Sequence, residues 1–325
     1  MHRVVVTHKV KEANRVLLRE LFGTSASLTF IDDMEPRERK QALESADALL
    51  TWNLPKELHA GELGLLENIR LIQLLSAGAD HVPYADLPPH ITIASNVGAY
   101  AGPMAEHVMA MTLALAKNLV REHQNLAQGA FNQSRPNRML RGMVCGILGF
   151  GGIGKATATL MRSFGMRINA VNTTGKTGEP VDFIGTLKDL HYVLSSSDVV
   201  VVSLPLTKGT RGLIGKRELA WMKKDAILIN VARGGIIDET ALYEHLKEHP
   251  DFKAGVDAWW TEPFTHGVFM TKYPVFALPN VVGSPHNSAI VPGMNEEGTR
   301  RAVENILRFW NKEPLRGVVR REDYL

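Results

Sequence analysis

Residues 199–202 are four consecutive valines. A strand with one face in water alternates apolar and polar residues. An uninterrupted apolar run needs cover on both faces, as in a parallel sheet flanked by helices. Similar short runs recur at 4–7, 28–30, 48–51, 71–74 and 91–94, and again at 143–149, 167–172, 199–204, 226–231, 253–257 and 281–283. Between them, apolar residues return at steps of three and four. Ile153, Ala156, Leu160, Met161 and Phe164 make one such face, and Val303, Ile306, Leu307 and Trp310 make another. This alternation specifies an α/β architecture with mostly parallel sheets. The 325 residues suit two domains, at roughly 150 residues each, and the strands fall into two series. A long apolar helix over 103–128, with Pro103 in its first turn, is expected to separate them. A surface loop should follow at 129–141, and the C-terminal helix stands where it can return to cover the first series.

Composition narrows the function. Hydrophobic residues are 45% and charged residues 22%, as in ordinary soluble proteins. Net charge is only +3, and no block of five like charges occurs, so nucleic acid is not an expected partner. Apolar stretches such as 104–116 are short and carry Glu106 and His107, so no membrane span is expected. The first residues hold only a three-valine apolar core, too little for a secretion signal. The single cysteine, Cys145, excludes an intramolecular disulfide and a multi-cysteine zinc site, and is expected to be buried and inert. The cytoplasm is the simplest compartment.

Gly149, Phe150, Gly151, Gly152, Ile153 and Gly154 spell G-x-G-x-x-G. The motif alone is weak, but a buried-strand pattern precedes it and a helix pattern follows. In that setting Gly149 permits a tight turn, Gly151 lets backbone N–H groups approach a pyrophosphate, and Gly154 lets helix pack on strand. A dinucleotide is the expected ligand. The acidic residue that holds a ribose 2′-hydroxyl should follow about 20 residues on. Asn172 stands there instead, followed by Thr173, Thr174 and Lys176. With no carboxylate to repel a 2′-phosphate and an ammonium nearby, charge favours NADP over NAD. The alternative is that Asn172 bonds a 2′-hydroxyl unaided and Lys176 is solvated.

Three further segments lie at strand ends: NVARGG with Arg233, DAWWTEP with Asp257 and Glu262, and SPHNSA with His286. Ligands of open α/β sheets gather at those ends. A guanidinium grips a carboxylate, a histidine exchanges a proton near neutral pH, and a carboxylate orients that histidine. Arg233, Glu262 and His286 are therefore the expected catalytic residues. His107 reads as a packed, hydrogen-bonded residue, and Asp257 as ordering its loop or the cofactor's amide end. Trp259, Trp260, Phe264, Phe269 and Tyr273 line an apolar pocket or belong to the core.

With the Arg–Glu–His order come SAGAD at 76–80, AEH at 105–107 and SLPLT at 203–207. Over roughly 104–286 the chain resembles the D-isomer-specific 2-hydroxyacid dehydrogenases, and its remainder fits them more loosely. The resemblance implies two Rossmann-like or flavodoxin-like lobes with parallel sheets and a cleft between them. The substrate domain would be discontinuous, 1–100 plus 287–325, and the dinucleotide-binding domain would be 101–286. Backbone N–H groups of Ser76, Ala77 and Gly78 would meet the substrate carboxylate, together with Arg233 and His286. Cofactor contacts would extend to Leu204, Pro205, Thr207, Val231, Ala232, Asp257, Arg233 and His286. The implied assembly is a homodimer through the nucleotide domains.

The implied activity is hydride transfer between NAD(P)H and a small 2-keto or D-2-hydroxy acid, with glyoxylate and hydroxypyruvate as candidate substrates. Formate dehydrogenases resemble this family but carry Gln where Glu262 stands, and phosphite dehydrogenases carry Lys where Ala77 stands. A corepressor-like protein that binds NAD(H) and partners on the same scaffold is the alternative function.

Overall fold

In the computed structural model, which describes residues 1–325, the strands form two separate sheets. Every pairing between these strands is parallel. The chain divides into two compact units, Met1–Tyr100 with Val291–Leu325, and Ala101–Ile290. No helix is long and apolar enough to cross a membrane.

The first unit contains β1 (His2–Val6), β2 (Ala26–Phe30), β3 (Ala48–Thr51), β4 (Leu71–Leu74) and β5 (Thr92–Ala94), in the order β2-β1-β3-β4-β5. Val4 pairs with Leu28 on one side and Ala48 on the other. The helix Met294–Trp310 places Ala302, Val303 and Ile306 in the same core as Val4, Val6, Leu18 and Leu50. Residues distant in sequence thus complete this core. The C-terminal tail runs antiparallel along β5, with Val319 N donating to Ile93 O and Ser95 N to Gly317 O, each at 2.8 Å. It thereby covers an exposed sheet edge.

The second unit contains β6 (Val144–Leu148), β7 (Arg167–Val171), β8 (Phe183–Gly185), β9 (Val199–Val202), β10 (Ile227–Asn230), β11 (Lys253–Val256) and β12 (Val281–Gly283). Their order is β12-β11-β10-β9-β6-β7-β8. All four valines of β9 are 0% exposed, the two-sided burial that the unbroken run requires. The order reverses between β6 and β9, the point at which doubly wound sheets open a crevice beyond their strand ends.

Two expectations need correction. The helix expected over 103–128 is two helices, Ala101–Ala116 and Leu119–Ala127. Between them Asn118 adopts a φ of 53°, a left-handed conformation that asparagine tolerates better than most residues. Lys253 Nζ fixes the break by donating to Leu115 O and Asn118 Oδ1. The second correction is β8, which the sequence reading omitted. Its three residues at a sheet edge, two half-buried and Gly185 buried, are too few to display a period.

Candidate active site

The glycine loop follows β6 directly. Gly149 and Phe150 both donate backbone N–H to Val171 O at 3.0 Å, which ties the turn to β7. Gly149 has φ of 100°, and a Cβ there would lie 2.8 Å from the backbone at Ser203–Leu204. A Cβ on Gly154 would lie 2.2 Å from Gly149 O, so close packing of helix on turn requires glycine at both. Gly151 differs: nothing lies within 4 Å of its would-be Cβ. It is the N-cap of the helix Gly152–Ser163, and no side chain caps that helix. Open space before uncapped N–H groups, at the positive end of a helix dipole, fits a pyrophosphate. Phe150 is buried, so its side chain serves the core.

Asn172, just past β7, is engaged within its own loop. Its Oδ1 accepts from Thr174 N at 3.0 Å and Gly175 N at 2.7 Å, while Nδ2 donates to Lys176 O at 2.9 Å. Thr173 and Thr174 are exposed on that turn. After β9, Leu204, Pro205 and Thr207 enter a loop in which Thr210 Oγ1 accepts from Thr207 N and donates to Pro205 O. After β10, Asn230 shapes the next turn, accepting from Ala232 N and donating to Arg233 O. The side chains of Val231 and Ala232 sink into the core, leaving Arg233 half-buried. A Cβ on Gly234 would lie 2.3 Å from Trp259 backbone, so this turn packs directly on the loop that carries Glu262.

Glu262 and His286 are paired, with Nδ1 to Oε2 at 2.7 Å. Glu262 Oε1 also accepts from Trp259 N at 2.6 Å. Burial alone raises the Glu262 pKa. The bonds from His286 and Trp259, with the charges of His286 and Arg233, outweigh burial and hold it below the ordinary carboxylate value. The carboxylate is thus ionised and fixes His286 with Nδ1 as donor, so Nε2 is the nitrogen that exchanges a proton.

Asp257 is fully buried and accepts from Ser284, Asn287 and Ser288, so it orders the His286 turn. Sequence reasoning gave no role to Ser284 or Asn230. The signal for Asn230 was an asparagine at a strand end before a glycine turn. Trp259 lies in the core, with Nε1 donating to Ser284 O. Trp260 and Tyr273 pack against the same core, whereas Phe264 and Phe269 are about half exposed. Cys145 is buried, and burial pushes its thiol pKa far up. In the first unit, the Ser76 hydroxyl donates to Gly78 O at 2.8 Å and closes that loop on itself.

A doubly wound sheet with an open glycine turn at its switch point, and an ionised carboxylate holding a histidine at neighbouring strand ends, defines a dinucleotide-dependent oxidoreductase. The family model described as "D-isomer specific 2-hydroxyacid dehydrogenase, NAD binding domain" matches residues 109–288. A hydroxypyruvate reductase of Thermotoga maritima is 31% identical over 303 residues, covering 92% of this chain and 94% of that one. A glyoxylate reductase of Thermococcus gammatolerans is 29% identical, covering 98% and 96%. A solved D-isomer-specific 2-hydroxyacid dehydrogenase from Xanthobacter autotrophicus, in complex with NADPH and MES, is 25% identical with a TM-score of 0.80, covering 99% and 98%. The chain belongs to the D-isomer-specific 2-hydroxyacid dehydrogenases. It is an enzyme that links a nicotinamide cofactor to 2-keto and 2-hydroxy acids.

Proposed function

We propose that the protein is a cytoplasmic reductase of small 2-keto acids, of the glyoxylate or hydroxypyruvate kind, which forms D-2-hydroxy acids with NADPH. The 2.7 Å Glu262–His286 pair carries the reading. The reduced nicotinamide supplies a hydride to C2 of the substrate. His286 holds a proton at Nε2 and delivers it to the ketone oxygen, which becomes the hydroxyl, and takes it back in the reverse direction. Glu262 keeps that imidazole oriented through the Nδ1 contact. Arg233 grips the substrate carboxylate or carbonyl oxygen and polarises the carbonyl. The part given to Ser76, Ala77 and Gly78 rests on the family resemblance. Pairing Glu262 with His286 suits a reaction that moves a proton, which formate oxidation does not require.

NADPH is favoured by the missing carboxylate at Asn172 and by the Thr173–Lys176 turn, and the Xanthobacter relative binds the same cofactor. The nucleotide unit also supports a homodimer. Its helix Leu119–Ala127 buries none of its residues and exposes Leu119 and Leu126, with Phe131 and Met139 exposed beyond it.

The test follows absorbance at 340 nm with glyoxylate, hydroxypyruvate and larger 2-keto acids. His286→Ala should retain cofactor binding and lose turnover by about 100- to 10,000-fold, the usual worth of general acid–base catalysis. Full turnover in that variant overturns the assignment. Cofactor binding with no turnover on any acid in the wild type would favour the partner-binding alternative.

A further inference from the structure

His107 has no part in the reaction described above, yet it is bonded to the turn that carries His286. Its Nε2 lies 2.8 Å from Ser284 Oγ and 3.7 Å from Asp257 Oδ1. Ser284 donates its only hydroxyl proton to Asp257 Oδ1 at 2.5 Å. The remaining bond therefore requires His107 to be the donor at Nε2. Asp257 Oδ1 also accepts from Asn287 N at 3.2 Å, and Oδ2 accepts from Ser288 N at 3.4 Å. These contacts lie on both sides of His286, whose φ is 52°. Residues other than glycine rarely hold that left-handed conformation, so surrounding bonds must maintain it.

We propose that His107 is a positioning residue for His286. Acting through Ser284 and Asp257, it holds the 284–288 turn in the geometry that sets His286 Nδ1 on Glu262. This rests on the reading of His286 as the proton donor. The charged groups facing the turn are Asp257, Glu262 and Arg233, on the loops after β11 and β10. His107 comes from the helix Ala101–Ala116, outside those loops. Without it, Ser284 can swing away from Asp257, and the buried carboxylate loses its nearby imidazole.

The test compares wild type, His107→Ala, His107→Gln, Ser284→Ala and the His107→Ala/Ser284→Ala double variant. Steady-state kinetics, melting temperature and an NMR titration of His286 are measured for each. His107→Ala should lower kcat by roughly threefold to tenfold, the worth of one net hydrogen bond. KM for the keto acid and cofactor affinity should stay unchanged, and the His286 titration curve should differ from that of the wild type as its hold on Glu262 loosens. His107→Gln, which keeps a donor N–H, should recover most of kcat. The double variant should be no slower than either single one. A lowered melting temperature with kcat and the His286 titration unchanged would mean packing alone and overturn the proposal. Losses that multiply in the double variant would overturn it too. If the wild type turns over no keto acid, the reading of His286 as proton donor fails. The titration then decides positioning by itself, and an unshifted His286 in His107→Ala overturns it.

Discussion

The two sheets have the same kind of switch point and treat it in opposite ways. In the first, between β1 and β3, the protein fills the strand ends with its own carboxylate. Glu57 Oε2 accepts from Thr7 Oγ1 and Thr51 Oγ1, both at 2.6 Å, and Oε1 accepts from Trp52 N at 3.2 Å and Asn53 N at 2.7 Å. In the second, between β6 and β9, the same position holds Gly151, open space and a helix with no side-chain cap. One end presents donors that the chain itself already satisfies; the other presents helix N–H groups that no side chain caps. Architecture alone does not make a ligand site; the residues placed at the strand ends decide it.

The largest expected effect comes from closing the open end. Gly151 has a negative φ of −90° and room for a side chain, and it is a helix N-cap. Gly151→Asp should fold normally, because aspartate is a preferred N-cap. Its carboxylate would occupy the place of the pyrophosphate and repel it. Cofactor affinity should fall by at least about a hundredfold, since like charges in contact cost several kcal/mol. The melting temperature should hold or rise. Calorimetric titration and thermal melts check both. Unimpaired cofactor binding would mean that the open end of the second sheet is not the phosphate site.

Next comes emptying the closed end. Glu57→Ala leaves the Thr51 hydroxyl and two backbone N–H groups without their acceptor, and the Thr7 hydroxyl with only its 3.3 Å contact to Leu50 O. The expected loss of stability is about 2–4 kcal/mol, discounted because Glu57 is only half-buried. Urea unfolding should show it in the first unit, while cofactor affinity stays at its wild-type value. A cofactor defect as large as the stability defect would show that the two ends do not act separately.

The contrast also marks what was legible in the sequence. The four valines of β9 announce two-sided burial because their signal is local and repeated. The glycine turn is legible because Gly149 and Gly154 each answer a local steric demand, while Gly151 leaves open space before the helix. The Glu262–His286 contact is legible as a complementary pair of residues at strand ends. The Asp257–Ser284–His107 contacts are not, because they join a helix near the start of the second unit to loops about 150 and 180 residues later, and no spacing encodes such a meeting. The break at Asn118 is hidden for the same reason, since Lys253, far along the chain, stabilises it. Asn172 was legible as a missing carboxylate, but the inward direction of its amide was not.

That direction sets the smallest expected effect. The open end is completed by a turn whose organiser spends both ends of its amide on Thr174, Gly175 and Lys176. On the proposed reading, Asn172 would act on cofactor choice by shaping the turn that carries Thr173, Thr174 and Lys176. Asn172→Ala removes the organiser and adds no charge. It should weaken NADPH by roughly tenfold, about one charged hydrogen bond, and leave NADH nearly unchanged. Asn172→Asp keeps the two acceptor bonds, gives up the donation to Lys176 O and brings in a negative charge, so it should favour NADH outright. Comparing kcat/KM for both cofactors across the three proteins separates the possibilities. If Asn172→Ala weakened NADH and NADPH equally, the amide would be a direct ribose ligand in the bound state, and the inward bonds would have to open when cofactor binds.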